Sequence, residues 1–189
     1  MNKNQNNKSV KNPSEQRKTL EKFKGQEMKL FLGLNVLLRE LSLFMGRGKS
    51  FEDLLTIGIC GLLSALEECN SFDCFDQKIQ KYGKLYLSEY IKDNNYCPKL
   101  MDVARDMLVN NISIAEKLKL GNSLQKFAKQ KIDCLEQQHR TNPLSTRKAV
   151  YVSFIDTIIN YPRGDCSKAF ATPEAYMTSK IKHHLDFTK

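Results

Sequence analysis

The stretch EDLLTIGICGLLSALEE (52–68), with FDQKIQKYGKLYLSEYIKD (75–93) behind it, decides how this chain reads. Both segments have helical patterning, and they differ in charge. From Phe51 to Gln77 the charged residues are Glu52, Asp53, Glu67, Glu68, Asp73 and Asp76, with no lysine or arginine among them. From Lys78 to Lys92 come Lys78, Lys81, Lys84 and Lys92 with Tyr82, Tyr86 and Tyr90, against a single acid, Glu89. An acidic helix docked beside a basic, aromatic one suits an adaptor between a positive protein surface and nucleic acid.

The helix from Phe51 carries Leu55, Ile59, Leu62 and Leu66 along one stripe, the spacing that one helical face requires. Gly58, Gly61 and Ala65 form a strip of small residues beside it. A glycine inside a helix costs about 1 kcal/mol relative to alanine, so two of them imply that another backbone passes close by. That backbone belongs either to an internal neighbour or to an external partner. The second helix sets Phe75, Ile79, Gly83, Tyr86, Leu87 and Tyr90 on one broad face. Lys78, Lys81 and Lys92 fall within about 60° of one another, with Tyr82 at the border of the two faces. Lysines beside an aromatic edge can neutralise phosphates while a ring stacks on an unpaired base. The competing reading is a solvated lysine face over a tyrosine-rich core.

Outward from this pair, residues 1–14 (MNKNQNNKSVKNPS) are polar and aperiodic, which predicts a disordered basic tail. Helical pattern begins near Glu15, is clear in MKLFLGLNVLLRELSLFM (28–45), and stops at Gly46-Arg47-Gly48, a turn signal. Ser50 offers an N-cap, with Asp53 at the position where a capping acid helps. A short break at Asn70–Cys74 separates the two central helices, and NNYCP (94–98) marks a boundary. Residues 99–140 are helical and charge-mixed, and within them NISIAEKLKLGN (111–122) reads as a short helix ended by Gly121. Asn142-Pro143 is a second boundary. In RKAVYVSFIDTII (147–159), Tyr151, Phe154, Ile155 and Ile158 fit the helical template, with a break at Tyr161–Gly164. Thr172-Pro173 opens a last helix. There Met177, Ile181 and Leu185 form the buried stripe, and Tyr176, Ser179, Lys180 and His183 point away from it. The whole is an all-α chain in four parts: the tail 1–14, a helical domain 15–95, a helical linker or small domain 96–141, and a terminal hairpin domain 142–189.

The net charge of +9 and a 41% apolar content describe a folded chain with a preference for polyanionic partners. The 23 lysines against 7 arginines, with 14 asparagines, are also what an AT-rich coding sequence yields without selection for binding. The distribution of charge therefore carries more weight than its sum. Cys60, Cys69, Cys74, Cys97, Cys134 and Cys166 contain no C-x-x-C pair. With neither a signal peptide nor an apolar run of membrane length, reduced thiols in a cytoplasmic protein are expected. The histidines lie far from closely spaced cysteines, so no metal site is expected. Nothing supplies a nucleophile with its base, a phosphate-cradling loop or a carboxylate constellation. No catalytic residue and no cofactor is expected.

The order of these pieces resembles the sigma factors of bacterial RNA polymerase. Their second conserved region commonly reads F-x-G-R-G-x-x-x-E-D-L-[IV]-Q-x-G-x-x-G-L-[IL]-x-A-[VIL]-E. This chain has Phe44, Gly46, Arg47, Gly48, Glu52, Asp53, Leu54, Leu55, Gly58, Gly61, Leu62, Leu63, Ala65, Leu66 and Glu67 in the same spacing. Phe75 opens the helix that in the family begins F-S-T-Y-A, and Lys92-Asp93 fall where an Arg-Asp pair would. The resemblance covers roughly 28–93. Downstream it loosens: IAEKLKLG (114–121) looks like a small helical domain of some members. LSTRKAV (144–150) and the helix Thr172–Leu185 look like a degenerate terminal helix-turn-helix. The chain departs from the family at Thr56, where glutamine is usual, and at Lys78, in place of the tyrosine of F-S-T-Y-A. It also has no tryptophan.

The resemblance implies a protein without enzymatic activity that binds core RNA polymerase and promoter DNA, with an anti-sigma-type antagonist as a further partner. By that analogy Asp53, Thr56, Ile57, Cys60, Ser64 and Glu67 would meet the polymerase. Lys78, Lys81, Tyr82, Lys84, Tyr86 and Lys92 would meet the melted strand, and Tyr176, Ser179, Lys180 and His183 the duplex. Two alternatives remain at this level. One is a polymerase-binding accessory or inhibitory protein on the same scaffold, without promoter opening. The other is a lysine-driven, nonspecific nucleic-acid binder.

Overall fold

A computed structural model describes residues 25–69, 74–138, 142–161 and 169–186. The expected tail, the start of helical pattern near Glu15, Cys166 and most of the breaks after Cys69 and Tyr161 lie outside them. Among the described residues there are seven helices and no strand: α1 (Glu27–Leu41), α2 (Phe51–Glu68), α3 (Phe75–Lys92), α4 (Met101–Asn110), α5 (Ile112–Gln137), α6 (Pro143–Asn160) and α7 (Pro173–Asp186). The all-α expectation holds for them.

α2 is the axis of the molecule. Every residue from Leu54 to Leu63 is buried, so the single stripe seen in the sequence is only one of several covered faces. A helix apolar all round is stable only when neighbours surround it. α1, α3, α4 and α5 do so. α1 supplies Leu30, Leu34, Leu37, Leu38 and Leu41. The turn after it contains Gly46 and Gly48 at φ 79° and 78°, a left-handed conformation open to glycine at little cost. α2 then starts on the expected cap: Ser50 Oγ accepts from the Asp53 N–H at 3.0 Å and donates to its carboxylate at 2.7 Å, satisfying a helix-end donor.

The strip of small residues packs against an internal neighbour. A Cβ on Gly61 would lie 2.8 Å from the Gly83 backbone nitrogen and 2.9 Å from the Tyr82 carbonyl carbon. α2 and α3 therefore cross with almost no side chain between them. Asp53 meets Tyr90 near one end of the pair, and Glu68 meets Lys78 near the other. The two helices are thus antiparallel.

α5 corrects the expectation of a short helix ending at Gly121. It runs on to Gln137 because Gly121 faces the Phe51 ring, where a Cβ would lie 2.1 Å from Cε1. Burial of Leu124, Ala128 and Ile132 beyond it outweighs the ~1 kcal/mol propensity penalty of one glycine. Asn111 both ends α4 and caps α5, accepting from the Ile114 N–H at 3.2 Å. α6 begins with Asn142 as N-cap and Pro143 in its first turn. Its C-terminal end lacks a basic residue of its own. α5 provides one: Lys117, only 8% exposed, donates to the Ile158 carbonyl at 3.1 Å, placing positive charge where the helix dipole favours it. Thr172 caps α7 by accepting from the Ala175 N–H at 3.2 Å, and Met177 and Ile181 are buried as the spacing predicts. One contiguous apolar cluster draws on all seven helices.

Candidate protein and nucleic-acid interfaces

The six candidate polymerase contacts on α2 do not share one exposed face. Asp53 and Glu67 reach solvent, and Ser64 is half-buried. Thr56, Ile57 and Cys60 are 8%, 1% and 0% exposed. Their cover is α4, whose Met101, Ala104, Met107 and Leu108 are buried in the shared core, together with the segment before it. Between them a cleft of about 540 Å³ is lined by Asp53, Thr56, Ile57, Tyr96, Arg105 and Leu108, among others. Burial pushes the Cys60 thiol up to about 12, with a smaller contribution from nearby Cys97. The thiol donates to the Thr56 carbonyl at 3.3 Å. Asp53 is held by Ser50 and accepts the Tyr90 hydroxyl; burial, then this carboxylate, raises the tyrosine's pKa.

Along α3 the lysines and tyrosines are spread around the helix, and most of them are already tied to acidic neighbours. Lys78 donates to the Glu68 carbonyl at 2.9 Å and lies 3.5 Å from its carboxylate. Tyr82 donates to the same carboxylate. That bond pushes the Tyr82 phenol up to about 12 and holds Glu68 below the usual carboxylate range. Lys84 pairs with Glu40 of α1 at 3.4 Å, and Lys92 with Glu89 at 2.8 Å. Lys81 is exposed, its ammonium 5.5 Å from the centre of the Tyr82 ring. Tyr86 hydrogen-bonds Ser64 across the helix pair at 3.0 Å. It stands between Tyr82 and Tyr96, each ring centre 6.2 Å away. Tyr96 and Arg105 are the residues that the sequence did not single out. Their only signal was the N-N-Y-C-P break, which returns the chain onto α2, and the apolar spacing of Met101, Ala104 and Leu108.

On α7 the expectation that Tyr176 points away from the buried stripe is corrected. Tyr176 is 5% exposed, because the rings of Phe170 and Tyr161 close over it at 5.4 and 6.0 Å. Ser179 and His183 are exposed. Lys180 pairs with Asp156 at 3.4 Å. With Arg39, Asp156 and His184, Lys180 and His183 border a cleft of about 340 Å³ between α1, α6 and α7. Burial lowers the His184 pKa.

Among the described residues no group of three His, Cys, Asp or Glu side chains could hold a metal ion, and no helix is long and apolar enough to cross a membrane. Cys69 and Cys74 are free thiols whose sulfurs lie 2.9 Å apart across the break between α2 and α3. No protein-family model, curated protein or solved structure matches the chain.

Proposed function

We propose that this chain is a sigma-like transcription initiation factor that binds core RNA polymerase and directs it to promoter DNA, without catalytic residues of its own. The observation that carries the reading is the run from Phe44 to Glu67, with its G-R-G, E-D-L and G-x-x-G elements in the family's spacing. The physical roles of those positions support it. Gly46 and Gly48 turn the chain, Asp53 closes the cap, and Gly61 lets α3 approach. The acidic end of α2 at Glu67 and Glu68 then stands beside Lys78, Lys81 and Tyr82 of α3, an arrangement that suits an adaptor between a basic protein surface and a polyanion.

A second reading is favoured by two observations. Ile57 and Cys60 are covered by α4. Lys78, at a position where an aromatic residue helps capture a flipped base in the family, is engaged with Glu68. Both favour an accessory or inhibitory protein that docks through the exposed acids and opens no DNA. The deciding experiment is to mix the full chain with cognate core polymerase, isolate the complex, and assay transcription on fragmented genomic DNA. Promoter-specific starts support the sigma-like role. Binding without starts supports the accessory role, and no binding rejects both. Glu67→Lys is the cleaner docking probe, since Asp53 is also part of the α2 cap. It is expected to weaken the polymerase complex at least tenfold, about 1.4 kcal/mol; unchanged affinity sinks the docking model.

A further inference from the structure

A cleft of about 690 Å³ lies between the α1–α2 turn and the outer sides of α5 and α6, and shares no lining residue with the cleft over α2. Its cationic lining residues are Lys49, Lys126, Lys129 and Arg147, against one carboxylate, Asp133. Arg147 is neutralised by Glu136, at 2.6 and 3.2 Å. Lys126 and Lys129 are exposed and have no ion pair among the described residues. Lys49 lines the opposite rim, but its ammonium is turned away toward the cleft over α2, 4.2 Å from the centre of the Tyr90 ring and bonded to the Asn94 side chain.

We propose that this cleft binds the phosphate backbone of a nucleic acid, with Lys126 and Lys129 as the phosphate contacts. The two α5 lysines are one helical turn apart, so their ammonium groups project from the same side of the helix. That separation is of the order of the distance between successive phosphates on a strand. The opposite wall is firm, because Gly46 is pressed on the Tyr151 ring, where a Cβ would lie 2.6 Å from the ring edge. The Gln125 side-chain carbonyl also accepts the Phe51 N–H at 3.3 Å. A small anion would need converging, desolvated donors. These exposed point charges along an open trough suit a polyanion, in keeping with the net charge of +9. Such contacts position a strand without reading its sequence. The proposal is independent of the polymerase reading.

The test is the salt dependence of binding to a labelled duplex oligonucleotide, measured on the full chain by fluorescence anisotropy from about 50 to 200 mM salt. Each phosphate contact contributes about 0.9 to the slope of log affinity against log salt. Lys126→Gln/Lys129→Gln is therefore expected to flatten the slope by ~2 and to lower affinity at the lowest salt about tenfold. Lys126→Arg/Lys129→Arg should keep the slope. An unchanged slope in the glutamine variant, with an unchanged melting curve, overturns the proposal. Polyglutamate competing as well as DNA overturns it in favour of an acidic protein, and displacement by inorganic phosphate at matched ionic strength reduces it to a small-anion site. A parallel Lys78→Gln/Lys81→Gln variant separates the two surfaces. Loss of binding there alone rejects the cleft and leaves the α3 reading standing, while loss in the cleft variant alone does the reverse.

Discussion

Gly121 sets two effects of opposite sign against each other. Helix propensity alone makes Gly121→Ala stabilising by about 1 kcal/mol in the middle of α5. The new methyl, however, would meet the Phe51 ring at 2.1 Å. Phe51 is fully buried and packed edge-on against Phe154 at 5.4 Å. Overpacking of this kind costs about 1–3 kcal/mol, so denaturant titration should show Gly121→Ala less stable than the parent; a gain in stability would mean the ring moves freely. Cys60 sets a pH dependence at the same scale. Its thiol keeps its proton in the fold up to about 12, whereas in the unfolded chain it ionises near 9.0. Between those values the folded state holds the extra proton, so stability falls as pH rises, by up to about 1.4 kcal/mol per unit. Stability measured across that window should fall less steeply for Cys60→Ala than for the parent, whatever the variant's absolute stability. Equal slopes would mean that the thiol is not desolvated.

Among elements, the α2–α3 pair depends on backbone contact. Gly61 and Gly58 looked equivalent as small residues on one helix, but their neighbours differ. A methyl at position 61 would meet the backbone of Gly83 and Tyr82, and one at 58 would meet the movable end of Leu37 at 2.8 Å. Gly61→Ala is thus expected to cost about 1–3 kcal/mol and Gly58→Ala clearly less, as read from paired thermal melts. The reverse order would mean that the helices separate more easily than their packing indicates. The caps of α2 and α7 were legible in Ser50 and Thr172 because capping is local chemistry between residues three apart. The length of α5 was not legible. The contact that carries it past Gly121 comes from Phe51, seventy positions earlier in the chain.

In the molecule as a whole, the apolar cluster takes side chains from every helix. The boundaries near 95 and 141 read from the sequence fall in the connections after α3, which ends at Lys92, and α5, which ends at Gln137, yet Phe154 of α6 packs on Phe51 of α2 and Lys117 of α5 bonds the end of α6. Thermal unfolding followed by circular dichroism and by tyrosine fluorescence should therefore give one coincident transition; two separated transitions would show that 142–189 folds as a unit of its own. The amino-acid sequence by itself determined the helical class, the caps, the turn at Gly46 and Gly48 and the opposed charges of α2 and α3, because each depends on residues within a turn or two of one another. Only the tertiary structure decided which faces stay available. Thr56, Ile57, Cys60 and Tyr176 are withdrawn from solvent by α4 and by the Phe170 and Tyr161 rings. Lys78, Lys84 and Lys180 find acids on neighbouring elements, and Lys126 and Lys129 are brought to a shared trough. Burial and pairing are set by neighbours distant in the chain, and helical spacing carries no record of them.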